Sequence, residues 1–286
     1  MNREPALDRY CVFGNPIAHS KSPRIHARFA ELCGQTLRYE AIQVELGGFA
    51  AAARAFALAG GKGANVTVPF KHDAFALAGQ LSARARLAGA CNTLVFKDHG
   101  EILGDNTDGL GLVADLERNA GFAMRGHSVL LVGAGGAAAG VLGPLLQARP
   151  ARLRLVNRSV DKAEGLVARH ASLAADCGCQ LEAGGLAGNA GRFELVINAT
   201  SSSLSGAGSP IAPDALARGA LAYDMMYGPA AQAFLAWAAA HGAQARDGLG
   251  MLVEQAAEAF ALWRGVRPPA AQVLAELRAE LDGGVP

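Results

Sequence analysis

The chain has 286 residues, 51% of them hydrophobic and 18% charged, and 26 Lys plus Arg against 25 Asp plus Glu leave a net charge of +1. So even a balance provides no surface-wide basic field, which argues against electrostatic binding of nucleic acid or of a membrane as the main activity. The apolar fraction excludes a disordered chain, and the length lies near the point where one core gives way to two domains.

In chain order, β-like runs fall at Tyr10–Gly14, Arg38–Val44, Ala64–Val68, Thr93–Phe96 and Ile102–Gly104. Helical stretches near Pro23–Cys33, Gly48–Ala59 and Phe70–Leu77 separate them. This alternation predicts βαβ units and a mostly parallel sheet. A helix starting at Asn106-Thr107-Asp108 then carries the chain into a second unit, with strands at Ser128–Gly133, Arg152–Asn157, Leu195–Ala199 and Leu221–Met225. After Gly250 the strands stop and two helices, Met251–Arg264 and Ala270–Leu281, finish the chain. Their apolar stripe must be buried somewhere, and packing back across a cleft between the two units is one solution.

Ser128–Ala148 carries no charge and is long enough to cross a bilayer, but it holds five glycines and Pro144. Strand, turn and helix fit it better than a membrane span. The N-terminus mixes charges before any apolar run and lacks the apolar core of a secretion signal. The five cysteines are scattered, and Cys177-Gly-Cys179 has no partner at metal-ligand spacing, so reduced thiols in a cytoplasmic protein and no metal are expected.

The run Ser-Val-Leu-Leu-Val followed by Gly133, Ala134, Gly135, Gly136 and Ala137 reads as a strand, a glycine-rich turn and a helix start. Small residues let backbone approach a pyrophosphate, and the helix N-terminus offers it free N–H groups. Taken alone, the G-x-G-x-x-A pattern fits a plain tight turn equally well. The next strand supplies context, because it ends in Asn157-Arg158-Ser159 with Lys162 one turn on. An acidic residue there would take the ribose hydroxyls of NAD, whereas a guanidinium suits the 2′-phosphate of NADP. NADP is the cofactor expected, with NAD and a merely solvated helix start as the alternatives.

Gly14-Asn-Pro-Ile-Ala-His19-Ser20-Lys-Ser22-Pro23 follows the first strand. Ser22-Pro23 by itself is a helix cap with Pro at the first helical position. The functional alternative is a carboxylate pocket made by the two hydroxyls and the free amides of the new helix, with His19 and His26 bracing the turn. Asn65-Val-Thr67-Val-Pro-Phe-Lys71 ends another strand at the same sheet edge, and Asn92-Thr93 and Asn106-Thr107-Asp108 add amides, hydroxyls and a carboxylate. Each is a plausible turn or cap alone. Together they suit a small, polyhydroxylated acid beside a hydride donor.

In this order and spacing the motifs resemble the shikimate dehydrogenase family, through most of the chain. Asn198-Ala-Thr-Ser, Asp224-Met-Met-Tyr227 and Gly248-Leu-Gly-Met-Leu-Val-x-Gln255 extend the likeness. The resemblance implies an α/β enzyme that reduces 3-dehydroshikimate to shikimate with NADPH, in aromatic amino acid biosynthesis. Two α/β domains would flank a cleft, the second a Rossmann-like doubly wound parallel sheet, with the C-terminal helices returning to the first. The substrate domain would be residues 1–107 plus 249–286, and the cofactor domain 108–248. Ser20 and Ser22, helped by Tyr227, would hold the substrate carboxylate. Thr67, Asn92, Asp108 and Gln255 would hold the ring hydroxyls, with Lys71 and Asp108 at the chemistry. Gly133, Ala134, Gly135, Gly136, Ala137, Asn157, Arg158, Ser159, Lys162, Met225 and Gly248 would line the cofactor.

Three positions depart from the family pattern: Ser203 where glycine is usual, Gln232 where Thr is common and Ala83 where relatives often carry an acid. None removes a catalytic group. A paralogue that takes quinate or prefers NAD, and a silent NADP-binding sensor on the same fold, are the competing readings. Ser20, Ser22 and Arg158 weigh against the first, and Lys71 and Asp108 against the second. A homodimer is left open beside the monomer.

Overall fold

The computed structural model describes residues 7–187, 191–200 and 209–283. Ser201 and Ser203 lie outside the described residues. The first sheet contains β1 (Asp8–Gly14), β2 (Leu37–Gln43), β3 (Gly61–Val66), β4 (Gln80–Leu81), β5 (Thr93–Phe96) and β6 (Ile102–Asp105), in the order β2-β1-β3-β5-β6-β4. Helices α1 (Ser22–Leu32), α2 (Phe49–Leu58), α3 (Lys71–Leu77) and α4 (Ala83–Ala88) connect these strands. Strand β5 runs antiparallel to both β3 and β6, so this sheet is mixed. The reversal has a consequence for the site: it brings the start of β5, at Asn92-Thr93, to the edge where β3 and β6 end.

The second sheet is parallel throughout. Its strands are β7 (Ser128–Val132), β8 (Arg152–Val156), β9 (Gln180–Gly184), β10 (Phe193–Asn198), β11 (Leu216–Asp224) and β12 (Gln244–Arg246), ordered β12-β11-β10-β7-β8-β9. The chain progresses outward in both directions from the β10/β7 junction, so the turn after β7 sits at the topological switch point, where open α/β sheets bind ligands. Helices α6 (Gly136–Gln147), α7 (Val160–Cys177) and α8 (Gln232–Ala240) cover this sheet. The charge-free stretch thus forms β7, the turn and α6, and among the described residues no helix is long and apolar enough to cross a membrane. Central β7 and β10 are apolar runs because parallel strands are buried on both faces.

Helix α5 (Asp108–Ala114), continued by a π turn at Asp115–Asn119, links the two sheets. Helices α9 (Leu249–Arg264) and α10 (Ala270–Leu281) return to α1, where Ile25 and Phe29 share one apolar cluster with Leu249, Val253, Phe260 and Leu277. The apolar stripe of the terminal helices thus finds its partner in the first unit. Helix α9 begins two residues earlier than the sequence pattern placed it.

A buried charge network ties the linker to the far sheet. Asp115, fully buried, accepts from Arg246 Nε at 2.9 Å, from the Arg246 guanidinium again at 2.5 Å and from Tyr223 Oη at 2.8 Å. A Cβ on Gly250 would overlap that carboxylate.

Candidate active site

A cavity of about 510 Å³ lies between the two sheets. Ser20, Ser22, Asn65, Thr67, Lys71, Asn92, Asp108 and Gln255 line it from the first sheet and α9, and Ala137, Ala199, Thr200, Met225, Tyr227 and Gly248 from the other side. The eight residues to which the family resemblance gave substrate binding therefore border one space.

At its floor Lys71 Nζ donates to Asp108 Oδ2 at 2.5 Å, and the two side chains are only 18% and 8% exposed. Asp108 Oδ1 accepts from Asn92 Nδ2 at 2.8 Å. Asn92 Oδ1 accepts in turn from the Thr107 N–H at 2.8 Å and from Thr93 Oγ1 at 2.8 Å. Gln255 Nε2 donates to Leu252 O at 2.8 Å, while its Oε1 accepts from Asn92 Nδ2 at 3.3 Å. The lysine is thus held by a carboxylate whose other oxygen is itself held. Fixed donors need no reorganisation when charge develops on a substrate.

Below this floor, Asn65 Nδ2 donates to Thr93 Oγ1 at 3.2 Å and Asn65 Oδ1 accepts from Tyr39 Oη at 2.7 Å. Thr93, Thr107 and Tyr39 are structural members of the site that motif reading did not assign roles. Sheet order brings them together: β1 sets Tyr39 of β2 beside β3, and β5 sets Thr93 between β3 and the end of β6.

At the mouth, Ser22 opens α1 and Lys21 occupies the cap position with no side-chain capping bond. The capping reading of Ser22 is therefore corrected: its hydroxyl caps nothing and borders the cavity. Ser20 Oγ accepts the Ser22 N–H at 3.3 Å. Burial pushes the Tyr227 phenol up, which keeps it a neutral hydrogen-bond donor.

His19 lines the cavity but His26 does not. The expectation that His26 braces the carboxylate turn is corrected: the ring is buried and stacked on Tyr39 with centroids 4.2 Å apart. Neither of its ring nitrogens finds a hydrogen-bond partner among the described residues. Burial, opposed by the neighbouring Asn65, brings its pKa down to about 3, so it is neutral and part of the core.

On the opposite wall β7 runs into Gly133, whose φ of +110° only glycine adopts readily, and α6 begins at Gly136. Its first intrahelical bond is Ala139 N–H to Gly135 O, so the N–H groups of residues 136–138 have no helical acceptor. A Cβ on Gly135 would meet nothing within 4 Å, which leaves the turn open to a bulky anion. Asn157 accepts the Ala134 N–H at 3.2 Å and donates to Ser159 O at 2.9 Å, so its amide shapes the turn. Arg158, Ser159 and Lys162 are exposed at the tip of β8 and the start of α7. Arg158 has no ion-pair partner among the described residues. These features fit a dinucleotide pyrophosphate flanked by a cation for a further phosphate. The backbone of Met225 passes so close to Gly248 that a side chain there would collide with it.

Residues 12–94 match the family model of the shikimate dehydrogenase substrate binding domain, and residues 248–278 that of the shikimate 5'-dehydrogenase C-terminal domain. Over 279 residues the chain is 61% identical to the NADP(+) shikimate dehydrogenase of Acidovorax sp. (strain JS42), covering 98% of this chain and 99% of that protein. Among solved structures, an Ael1 enzyme from Pseudomonas putida is 47% identical with a TM-score of 0.87, over 94% of this chain and 98% of that one. Shikimate 5-dehydrogenase from Thermus thermophilus, in complex with NADP(H) and shikimate, is 30% identical with a TM-score of 0.82, over 95% and 99%.

Proposed function

The chain belongs to the shikimate dehydrogenase family, and on that premise we propose that it catalyses the reversible NADPH-dependent reduction of 3-dehydroshikimate to shikimate, a step towards chorismate and the aromatic amino acids. The observation that carries this reading is the Lys71–Asp108 pair at the floor of a cavity whose other wall is a dinucleotide-type turn. We divide the chain into a substrate domain, residues 1–107 plus 249–286, and a cofactor domain, 108–248.

The cofactor would be held by the N–H groups after Gly133 and Gly135, with Arg158 and Lys162 at the 2′-phosphate and Met225 and Gly248 bordering the nicotinamide side. When bound, NADPH supplies the hydride. The chain has to supply the proton, the orientation and the dry surroundings. Ser20, Ser22 and Tyr227 hold the substrate carboxylate, remote from the reacting carbon. Thr67, Asn92, Asp108 and Gln255 hold the ring hydroxyls. Lys71 directs its ammonium at the C3 carbonyl oxygen, stabilises the negative charge that develops there and delivers the proton that makes the alcohol. In the reverse direction the neutral amine takes that proton back. Asp108, whose Oδ2 accepts from Lys71 Nζ, keeps the lysine in line.

All five cysteines are free thiols, and we place the protein in a reducing, cytoplasmic setting. We carry the homodimer as a second assembly state beside the monomer, which sedimentation separates. The functional test is a steady-state assay of shikimate and quinate with NADP and NAD in all four pairings. Shikimate with NADP should give the highest kcat/KM; a preference for quinate or for NAD would overturn the assignment.

A further inference from the structure

His72 follows Lys71 on α3, is exposed, and sets its Nδ1 2.9 Å from Gly89 O at the end of α4. A carbonyl oxygen only accepts, so Nδ1 carries the hydrogen and Nε2 is turned elsewhere. It is turned across the cleft. Apart from α6 itself, Nε2 is the one atom among the described residues within 4 Å of where a Gly136 Cβ would stand, at 3.8 Å. Gly136 opens α6, and its N–H is among those without a helical acceptor.

We propose that His72 is a ligand of the cofactor's pyrophosphate, contributed by the substrate side to an anion otherwise held by the cofactor side. The inference rests on the NADP reading above. It joins the two walls through the bound phosphate. Phosphate oxygens only accept, and Nδ1–H is already given to Gly89 O, so the ring meets the phosphate as the imidazolium. Among the described residues the groups around the ring are few. On α3 they are Lys71, committed to Asp108, and Asp73. From α4 comes the Gly89 carbonyl, with the Arg169 guanidinium of α7 lying 2.8 Å from where a Gly89 Cβ would stand. From α6 comes the positive end of the helix dipole. The last two are positive and favour an anion in the space beside the ring.

The test is equilibrium binding of NADP+ and of adenosine 2′-phosphate, which keeps the adenine, ribose and 2′-phosphate but has no pyrophosphate. His72→Ala should weaken NADP+ about three- to tenfold, as befits an exposed charged hydrogen bond, and leave adenosine 2′-phosphate within about twofold. The wild-type margin between the two ligands should be larger at about pH 6 than at about pH 8, while His72→Lys, a permanent cation, should hold its margin at both. Both ligands titrate at the 2′-phosphate, so that ionisation cancels in the comparison. Equal loss for both ligands, or no loss for NADP+, overturns the inference while leaving NADPH-dependent turnover in place. A wild-type chain that fails to bind NADP+ overturns the functional reading and this inference with it.

Discussion

Lys71 opens α3 and Asp108 opens α5, and their side chains meet at 2.5 Å although 37 positions separate them. The contact joins the substrate sheet to the helix that leaves it. Removing a general acid lowers rate by roughly 10²–10⁴, so Lys71→Ala should cut kcat by about that factor with NADP+ affinity near wild type. Asp108→Asn should lower kcat and raise the shikimate KM together. The double variant should lose less than the product of the two single losses, because each works through the other. A Lys71→Ala enzyme that keeps kcat within about threefold would show that another group delivers the proton.

Arg158 stands exposed at the β8 tip, without an ionic partner among the described residues. Replacing it with Ala should weaken NADP+ about tenfold or more, the range of charge-assisted bonds to phosphate, and NAD+ far less. Calorimetry with both cofactors decides it, and equal losses would remove the residue from the 2′-phosphate site.

The hydroxyl of Ser22 caps nothing but meets the Tyr39 phenol, so Ser22→Ala should cost about 1 kcal/mol of stability and raise the shikimate KM with little change in kcat. Ser20→Ala should raise KM too, with a small stability cost because Ser20 Oγ accepts the Ser22 N–H. Melting curves and kinetics on the same preparations separate the two effects.

Gly250 admits no side chain because Asp115, paired with Arg246 and Tyr223, fills the space. Gly250→Ala would have to push a buried, paired carboxylate away from its partners, at a cost of about 3 kcal/mol or more. Chemical denaturation should show a lowered midpoint. An unchanged midpoint would mean that the network yields freely.

His26 makes stability depend on pH. In the unfolded chain its ring takes a proton below its ordinary 6.5, whereas in the fold it does so only near 3. The unfolded state therefore binds more protons between those values, and stability falls as pH falls through that window, by up to about 1.4 kcal/mol per pH unit. His26→Phe, which keeps a ring against Tyr39, should flatten this part of the profile relative to wild type.

Much of the architecture was legible because it is written locally. The α10 boundaries agree with the apolar pattern at both ends, and the strands of the central sheet positions are short apolar runs bounded by glycine. Strands β4, β9 and β12 were not legible: two to five residues long, at sheet edges and rich in Gln, they carry too little apolar signal for a period to register. Strand β3 starts three residues early, in Gly-Lys-Gly, because pairing with β1 overrides a composition that reads as turn. At the site, motif order was enough to name Lys71, Asp108 and Asn92. The places of Thr93 and Thr107 depend on the reversed strand β5 and that of Tyr39 on β1 lying between β2 and β3, and nothing in a one-dimensional pattern states a strand's direction or its neighbours. His26 misled for a related reason: its neighbours in sequence lie in the carboxylate turn, while its neighbours in space are Tyr39, Phe260 and Trp263.

The return of α9 and α10 to α1 also orders the events of synthesis. Ile25 and Phe29 leave the ribosome early, yet the residues that cover them, Leu249, Val253, Phe260 and Leu277, are among the last to emerge. The parallel sheet of β7 to β12 is complete by Arg246 and needs none of α10 for its own strands. The nascent chain can therefore close its second sheet while the first still shows a naked apolar helix face. That interval is when chaperone capture or aggregation would act on α1.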